Sequence, residues 1–281
     1  MEAYVPKSYS EVKECLSKMT PDSKFLGGGT DFIIRLHSGM AKPGALCYLG
    51  AVDEFRRIET NRSGIVIGGY ATMTEMEHNE VIREQFPALM DAASDVGSLQ
   101  IRNHGTIGGN LGNASPAGDL IPVLYLYDAV IEALGPDGTR MIPITELIER
   151  PGKTVLDYNE AIYRIHMPFP KFKSSFVKLG TRKKVTIARI DMALGISMEQ
   201  DKVKSVRILI GAISVRPVKL REAEEFLIGK PLNEYNIMKV AEILSDYIMA
   251  NTPKEFDRDY KVYASRGVVM DTFLKLDREK Q

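Results

Sequence analysis

Apolar and polar residues alternate with different periods along the chain, and those periods predict its elements. Over SYSEVKECLSKM, residues 8 to 19, Val12, Cys15, Leu16 and Met19 fall on one helical face, with Ser8 or Ser10 placed to cap the helix. Lys24-Phe25-Leu26 reads as a short strand that runs into Gly27-Gly28-Gly29-Thr30-Asp31, after which Phe32, Ile33, Ile34 and Leu36 resume the apolar pattern. ALCYLG (45–50) predicts the next strand. IVIGGYATMTEME (65–77) predicts a strand, a glycine turn and a helix that starts at Thr72 or Thr74. Residues 86 to 96 read as a helix. The apolar run DLIPVLYLYDAVIEAL (119–134) ends as a strand before the turn Gly135-Pro136-Asp137-Gly138.

After about residue 150 the pattern changes. AIYRIHMP, SSFVKLGTR, DMALGISMEQ and VKSVRILIGAIS alternate as strands of an antiparallel sheet do. KLREAEEFLIG predicts a helix that ends at Gly229, and NEYNIMKVAEILSDYIMA a second with Ile237, Val240, Ala241, Leu244 and Ile248 on one face. A last helix covers DYKVYASRGVVMDTFLKL. Pro168 and Pro170 mark a boundary near residue 170.

Composition narrows the class. The 281 residues suffice for two or three subdomains, and 37 basic residues balance 37 acidic ones, which argues against a general nucleic-acid binder. Only two cysteines, Cys15 and Cys47, are present, and the four histidines form no His-Glu-x-x-His pair, so no metal site is expected. No apolar segment reaches the roughly 18 residues of a membrane span, and the N-terminus shows no apolar signal region; the expectation is a cytoplasmic protein.

The chemistry concentrates in two glycine-rich stretches. IRNHGTIGGNLGNASPAGD (101–119) places five glycines among nineteen residues, more than a turn uses. Backbone N–H groups freed of Cβ atoms can turn inward and bind phosphate oxygens. LGGGTD and TIGGN both supply glycines beside a hydroxyl, and two such loops suit a diphosphate. Neither is a standard nucleotide motif. Gly27, Gly29 and Phe32 fall on the glycine positions of Gly-x-Gly-x-x-Gly, where the third fails, and no Gly-Lys-Ser/Thr follows a glycine at P-loop spacing. GGGTD by itself reads more often as a tight turn than as a ligand site.

Taken in order, LGGGTD, IVIGGYATMTE, TIGGNLGNASPAGD and FVKLGTRKKVTIARI resemble the FAD-binding (medium) subunits of the molybdenum hydroxylases, the xanthine dehydrogenase family. The resemblance spans nearly the whole chain. It implies an α+β fold: a vanillyl-alcohol-oxidase-like (PCMH-type) FAD-binding domain over 1–170, with two α/β subdomains of about 1–57 and 58–170. A C-terminal domain of antiparallel sheet and helices over 171–281, like that of the CO dehydrogenase flavoprotein, would follow. It implies non-covalent FAD. The first pyrophosphate loop would be Phe25, Leu26, Gly27, Gly28, Gly29, Thr30, Asp31 and Phe32, and the second Thr106, Ile107, Gly108, Gly109 and Asn110. Asn113 and Ser115 would lie near the flavin or its phosphates, Asp119 would contact FAD, Ile162 would sit beside the adenine end, and Lys178 near the flavin. Without the resemblance, Asp119 also reads as a helix N-cap and Lys178 as a solvated strand residue. His104 reads as a loop residue. Val96, an aliphatic residue as in several bacterial subunits, stands where xanthine dehydrogenase carries an aromatic residue against the flavin ring, which leaves ring stacking open.

The resemblance further implies an oxidoreductase subunit without hydroxylating residues of its own. A large molybdopterin subunit and a small subunit with two two-iron two-sulfur clusters would complete it, usually as a dimer of such heterotrimers. Electrons would pass through FAD to an acceptor such as NAD. Tyr70, Arg182, Lys183, Lys184 and Arg189 could line an acceptor entrance or face water. Two other readings stand beside this one: a self-contained FAD oxidoreductase of the same fold, and a non-catalytic binding protein that has lost FAD. Nothing in these residues selects the substrate of a partner subunit.

Overall fold

The computed structural model describes residues 1–182 and 185–277. It divides into two compact units. The first comprises Met1–Glu75, Leu99–Ala114 and Asp128–Pro168; the second comprises Met76–Ser98, Ser115–Tyr127 and the described residues from Phe169 onward.

In the first unit, Glu2–Tyr4 and Lys24–Phe25 flank Ala45–Cys47 in a parallel three-stranded sheet. The helix Tyr9–Lys18 packs beside it because Val12, Cys15 and Leu16 recur on one face and join Cys47, Leu49, Val52 and Phe55 in a buried cluster. Ser8 caps this helix, its hydroxyl accepting from the Glu11 N–H at 3.3 Å. A second sheet is antiparallel throughout, in the order Ile58–Thr60, Gly64–Gly68, Ala161–Pro168, Val130–Gly135, Gly138–Pro143. The last two strands form the hairpin over the Gly135–Gly138 turn. AIYRIHMP therefore belongs to this sheet, between Gly64–Gly68 and Val130–Gly135, and not with the strands that follow it. Alternation fixes which face a strand buries and leaves its partners undetermined. Thr72 opens the helix Met73–Glu77 as a capping box: its hydroxyl accepts from the Glu75 N–H at 3.2 Å, and Glu75 Oε2 accepts from the Thr72 N–H at 2.7 Å.

The second unit is built on an antiparallel sheet in the order Lys173–Leu179, Ile190–Glu199, Lys202–Gly211, Val218–Lys219. On one face Ile190, Met192, Leu194 and Ile196 pack with Val240, Leu244 and Ile248 of the helix Glu234–Asn251 and with Val268, Val269 and Phe273 of the helix Arg258–Asp277. The helix Arg221–Leu227 adds Ala223 and Leu227, and Gly229 after it takes φ +74°, as a C-terminal cap requires. Residues 191, 193 and 195 alternate onto the other face. There Gly195 leaves room for Phe172 and Leu126, and the helices Pro87–Asp95 and Leu120–Leu126 contribute their apolar sides. Among the described residues no helix is long and apolar enough to cross a membrane.

Candidate functional site

The first glycine loop leaves the three-stranded sheet immediately after Phe25. Leu26 makes the last sheet bond, its N–H donating to the Cys47 carbonyl at 2.8 Å. Among the described residues, none of the N–H groups from Gly27 to Asp31 donates to a backbone carbonyl. The chain then turns at Gly29, φ +73°, into the helix Phe32–His37. The glycines are fixed by close approach. A Cβ on Gly28 would lie 1.7 Å from the His104 carbonyl oxygen, and one on Gly27 would lie 2.8 Å from Thr106 Oγ1. The two loops therefore pack against each other, backbone to backbone, within the first unit.

The second loop differs from the expectation of an open nest. Ile107–Asn113 is a helix, capped by Thr106, whose Oγ1 accepts from the Gly109 N–H at 3.0 Å. The Ile107 N–H donates to the Ala71 carbonyl at 3.0 Å, the Gly108 N–H to Gly69 at 2.8 Å and the Asn110 N–H to Thr106 at 3.0 Å. These four donors are spent inside the protein, so Gly108 serves an approach to Gly69, whose carbonyl oxygen would lie 2.4 Å from an added Cβ. What this segment leaves unpaired is a side-chain atom: Asn110 Oδ1 is buried without a hydrogen-bond partner. Asn113 ends the helix, exposed, before Ala114 at φ +44°. Ile162 is buried in its strand beside Gly69, at a register shift that ends at Arg164. Tyr70 is also buried, edge-on to Tyr48 and Phe55, and burial pushes its phenol well above the usual range. Its burial sets aside the reading in which it faces water.

In the second unit Lys178 and Asp119 come together. The Lys178 ammonium donates to Asp119 Oδ2 at 2.6 Å and to the Asp95 carbonyl at 2.5 Å, and its side chain is only 4% exposed. A solvated strand lysine is therefore not what the structure contains. Asp119 occupies the N-cap position of Leu120–Leu126, yet its side chain makes no capping bond; it is turned to Lys178 instead. Burial pushes the Asp119 carboxyl up to about 6, with Lys178 holding it down and Asp95 adding to the rise. Its Oδ1 is buried without a partner. Val96 closes the helix Pro87–Asp95, and Ser115 Oγ accepts from the Ala117 N–H at 3.3 Å. Arg189 pairs with Asp257, and Arg182 Nε donates to the Val185 carbonyl at 2.7 Å; Lys183 and Lys184 lie outside the described residues.

One residue of this cluster went unread in the sequence. Asp191 stands opposite Lys178 in the strand register, is fully buried and has both carboxyl oxygens unpartnered. Its signal was an acid inside the apolar run IDMALGI, where an unpaired charge is costly.

A run of N–H groups without a backbone acceptor on a glycine-rich loop, held against a segment that carries an unsatisfied buried amide oxygen, fits a phosphate-bearing cofactor. The comparisons with known proteins agree. Residues 1–170 match the family described as the FAD binding domain in molybdopterin dehydrogenase, and residues 175–276 match the CO dehydrogenase flavoprotein C-terminal domain. The chain is 30% identical over 283 residues to the nicotinate dehydrogenase FAD-subunit of Eubacterium barkeri, covering 98% of this chain and 95% of that one. It is 27% identical to the xanthine dehydrogenase FAD-binding subunit of Escherichia coli, over 86% and 85% of the two chains. A solved chain of quinoline 2-oxidoreductase from Pseudomonas putida 86 superimposes with a TM-score of 0.90 at 22% identity, over 99% of this chain and 97% of that one, and so shares the fold.

The chain thus belongs to the family of FAD-binding subunits of molybdenum hydroxylases. It is an oxidoreductase subunit whose cofactor is FAD, with an FAD-binding domain followed by a flavoprotein C-terminal domain.

Proposed function

We propose that this chain, with residues 1–170 as FAD-binding domain and 171–281 as C-terminal domain, is the electron-transferring medium subunit of a cytoplasmic molybdenum hydroxylase. One observation carries the site: the N–H groups of Gly27, Gly28, Gly29, Thr30 and Asp31 find no backbone acceptor among the described residues, while Gly28 is held against His104. These N–H groups would hold the FAD pyrophosphate. Thr106 to Asn110 support the loop from below, and Asn110 Oδ1 accepts from the cofactor. Ile162 supplies an apolar wall at the adenine end. Val96, Asn113, Ser115, Asp119 and Lys178 are the further cofactor contacts, with the Lys178 ammonium as the positive charge for reduced flavin. Bound FAD supplies the change from one-electron to two-electron transfer.

The same reading assigns the partners. A small subunit with two iron–sulfur clusters delivers electrons, a large molybdopterin subunit performs the hydroxylation, and NAD or a related carrier receives the electrons. The relatives named as FAD subunits and medium chains support an assembly of this kind.

Purification by a tag on this chain, with a spectrum and the co-purifying proteins identified, tests the reading. Flavin and iron–sulfur bands with two extra subunits support it, and NADH reduction of the flavin supports the acceptor. Flavin on a lone chain that oxidises a substrate unaided would replace it with a self-contained oxidoreductase. No flavin after reconstitution would leave a binding protein.

A further inference from the structure

Lys178 has two carboxyl groups within its range and uses one. It lies on Lys173–Leu179 directly opposite Asp191 on Ile190–Glu199, and Asp191 in turn lies opposite Gly211. Directly opposed residues of antiparallel strands place their side chains on one face, with Cβ atoms roughly 4.5–5.5 Å apart, within the reach of a lysine. Gly211 is what admits the acid, since a Cβ there would lie 2.3 Å from Asp191 Oδ1. Yet the ammonium turns away to Asp119 and the Asp95 carbonyl, and the Asp191 carboxyl is left with no side-chain partner, only the Gly211 backbone N–H lying close by. An ionised carboxylate in that setting is far too costly; a protonated one is tolerable.

We propose that Asp191 is a proton-loaded second acceptor for Lys178, so that the ammonium and a proton can exchange places between Asp119 and Asp191. In one arrangement, the one the 2.6 Å contact between Lys178 and Asp119 Oδ2 corresponds to, Asp119 is ionised and Asp191 carries the proton. In the other, Lys178 pairs with an ionised Asp191 and the proton sits on Asp119. One ammonium, one carboxylate and one carboxyl exist in both, so the buried charge is unchanged. Burial, with the Asp119 charge nearby, holds the Asp191 carboxyl well above the ordinary range, and Gly211 and Lys178 offset this only in part. Burial and the charge of exposed Asp95 likewise favour a proton on Asp119 once Lys178 leaves. Asp191 is thus a positioning residue, and the exchange converts Asp119 from an acceptor into a donor. The meaning of that conversion for the flavin rests on the function proposed above; the exchange does not.

The test uses the full chain without cofactor. In a crystal structure of Asp119→Asn, the Lys178 ammonium should lie within hydrogen-bonding distance of the Asp191 carboxyl. In infrared spectra near neutral pH, a protonated-carboxyl band should be present in the wild type, absent in Asp191→Asn and absent in Asp119→Asn, where Asp191 has ionised. The Asp119→Asn/Asp191→Asn double variant should melt lower than the two single losses predict, by about 3 °C or more. A Lys178 that stays at the Asp95 carbonyl in Asp119→Asn, or strictly additive losses, overturns the proposal. Should the double variant fail to fold, the position of Lys178 in Asp119→Asn decides. Loss of FAD binding in every form would count against the cofactor assignment and leave these readouts unaffected.

Discussion

Gly28 lies under the carbonyl of His104 so closely that a Cβ there would fall 1.7 Å from the oxygen and 2.8 Å from the Gly105 nitrogen. Both neighbours are backbone, so neither can rotate away. Gly28→Ala must part the two loops, and overpacking of this kind costs about 1–3 kcal/mol or more. Denaturant unfolding of Gly28→Ala should show that loss, and the variant should retain well under a tenth of its flavin on gel filtration.

Gly112 behaves in the opposite sense. It sits in the helix Ile107–Asn113 with a right-handed backbone, and an added Cβ would meet nothing within 4 Å. Alanine there removes the entropy penalty of a helical glycine, about 0.5–1 kcal/mol. Gly112→Ala should therefore raise the melting temperature by a few degrees (of order 2–4 °C) with flavin content unchanged. The contrast with Gly28→Ala separates glycines required by contact from glycines that are merely present.

Thr106→Ala removes the cap over Gly109 and should cost about 1 kcal/mol by denaturant unfolding, whereas Thr106→Ser should keep most of it. Both should retain more flavin than Gly28→Ala, because the cap supports the first loop without itself holding the pyrophosphate.

Asp119 ties stability to pH. Its carboxyl rises from an ordinary 3.8 to about 6 in the folded chain, so the folded state holds a proton that the unfolded state has lost across that interval. The contribution is fully present below about pH 4 and lost as pH rises through 6, with a size on the order of 3 kcal/mol. Unfolding free energy measured from pH 4 to 7 should fall more steeply in the wild type than in Asp119→Asn. A parallel pair of profiles would contradict the shift.

The parts of the fold that sequence made legible are those set by local periodicity. The Ser8 cap, the buried stripe Val240, Ala241, Leu244 and Ile248, and the Gly229 terminus all follow from spacing within one element. What escaped depended on partners distant in sequence. AIYRIHMP alternates like the strands after it, and only pairing with Gly64–Gly68 and Val130–Gly135 assigns its sheet. IGGNLGN reads as a loop because glycine and asparagine are weak helix formers, yet the Thr106 cap and the acceptors at Gly69 and Ala71 make it helical. At the site, the sequence brought both glycine loops forward but could not tell which one kept its donors. Lys178 became legible as a buried residue only when Asp119 and Asp191 were placed around it.

The most direct test of the account is FAD titration of the deflavinated full chain, followed by quenching of flavin fluorescence, in the wild type and Gly28→Ala. The account predicts saturable binding of one FAD per wild-type chain and affinity at least tenfold weaker, about 1.4 kcal/mol, in Gly28→Ala. Binding that is equal in the two chains would remove the pyrophosphate from the Gly27–Asp31 loop, and absence of binding to the folded wild type would contradict the site altogether.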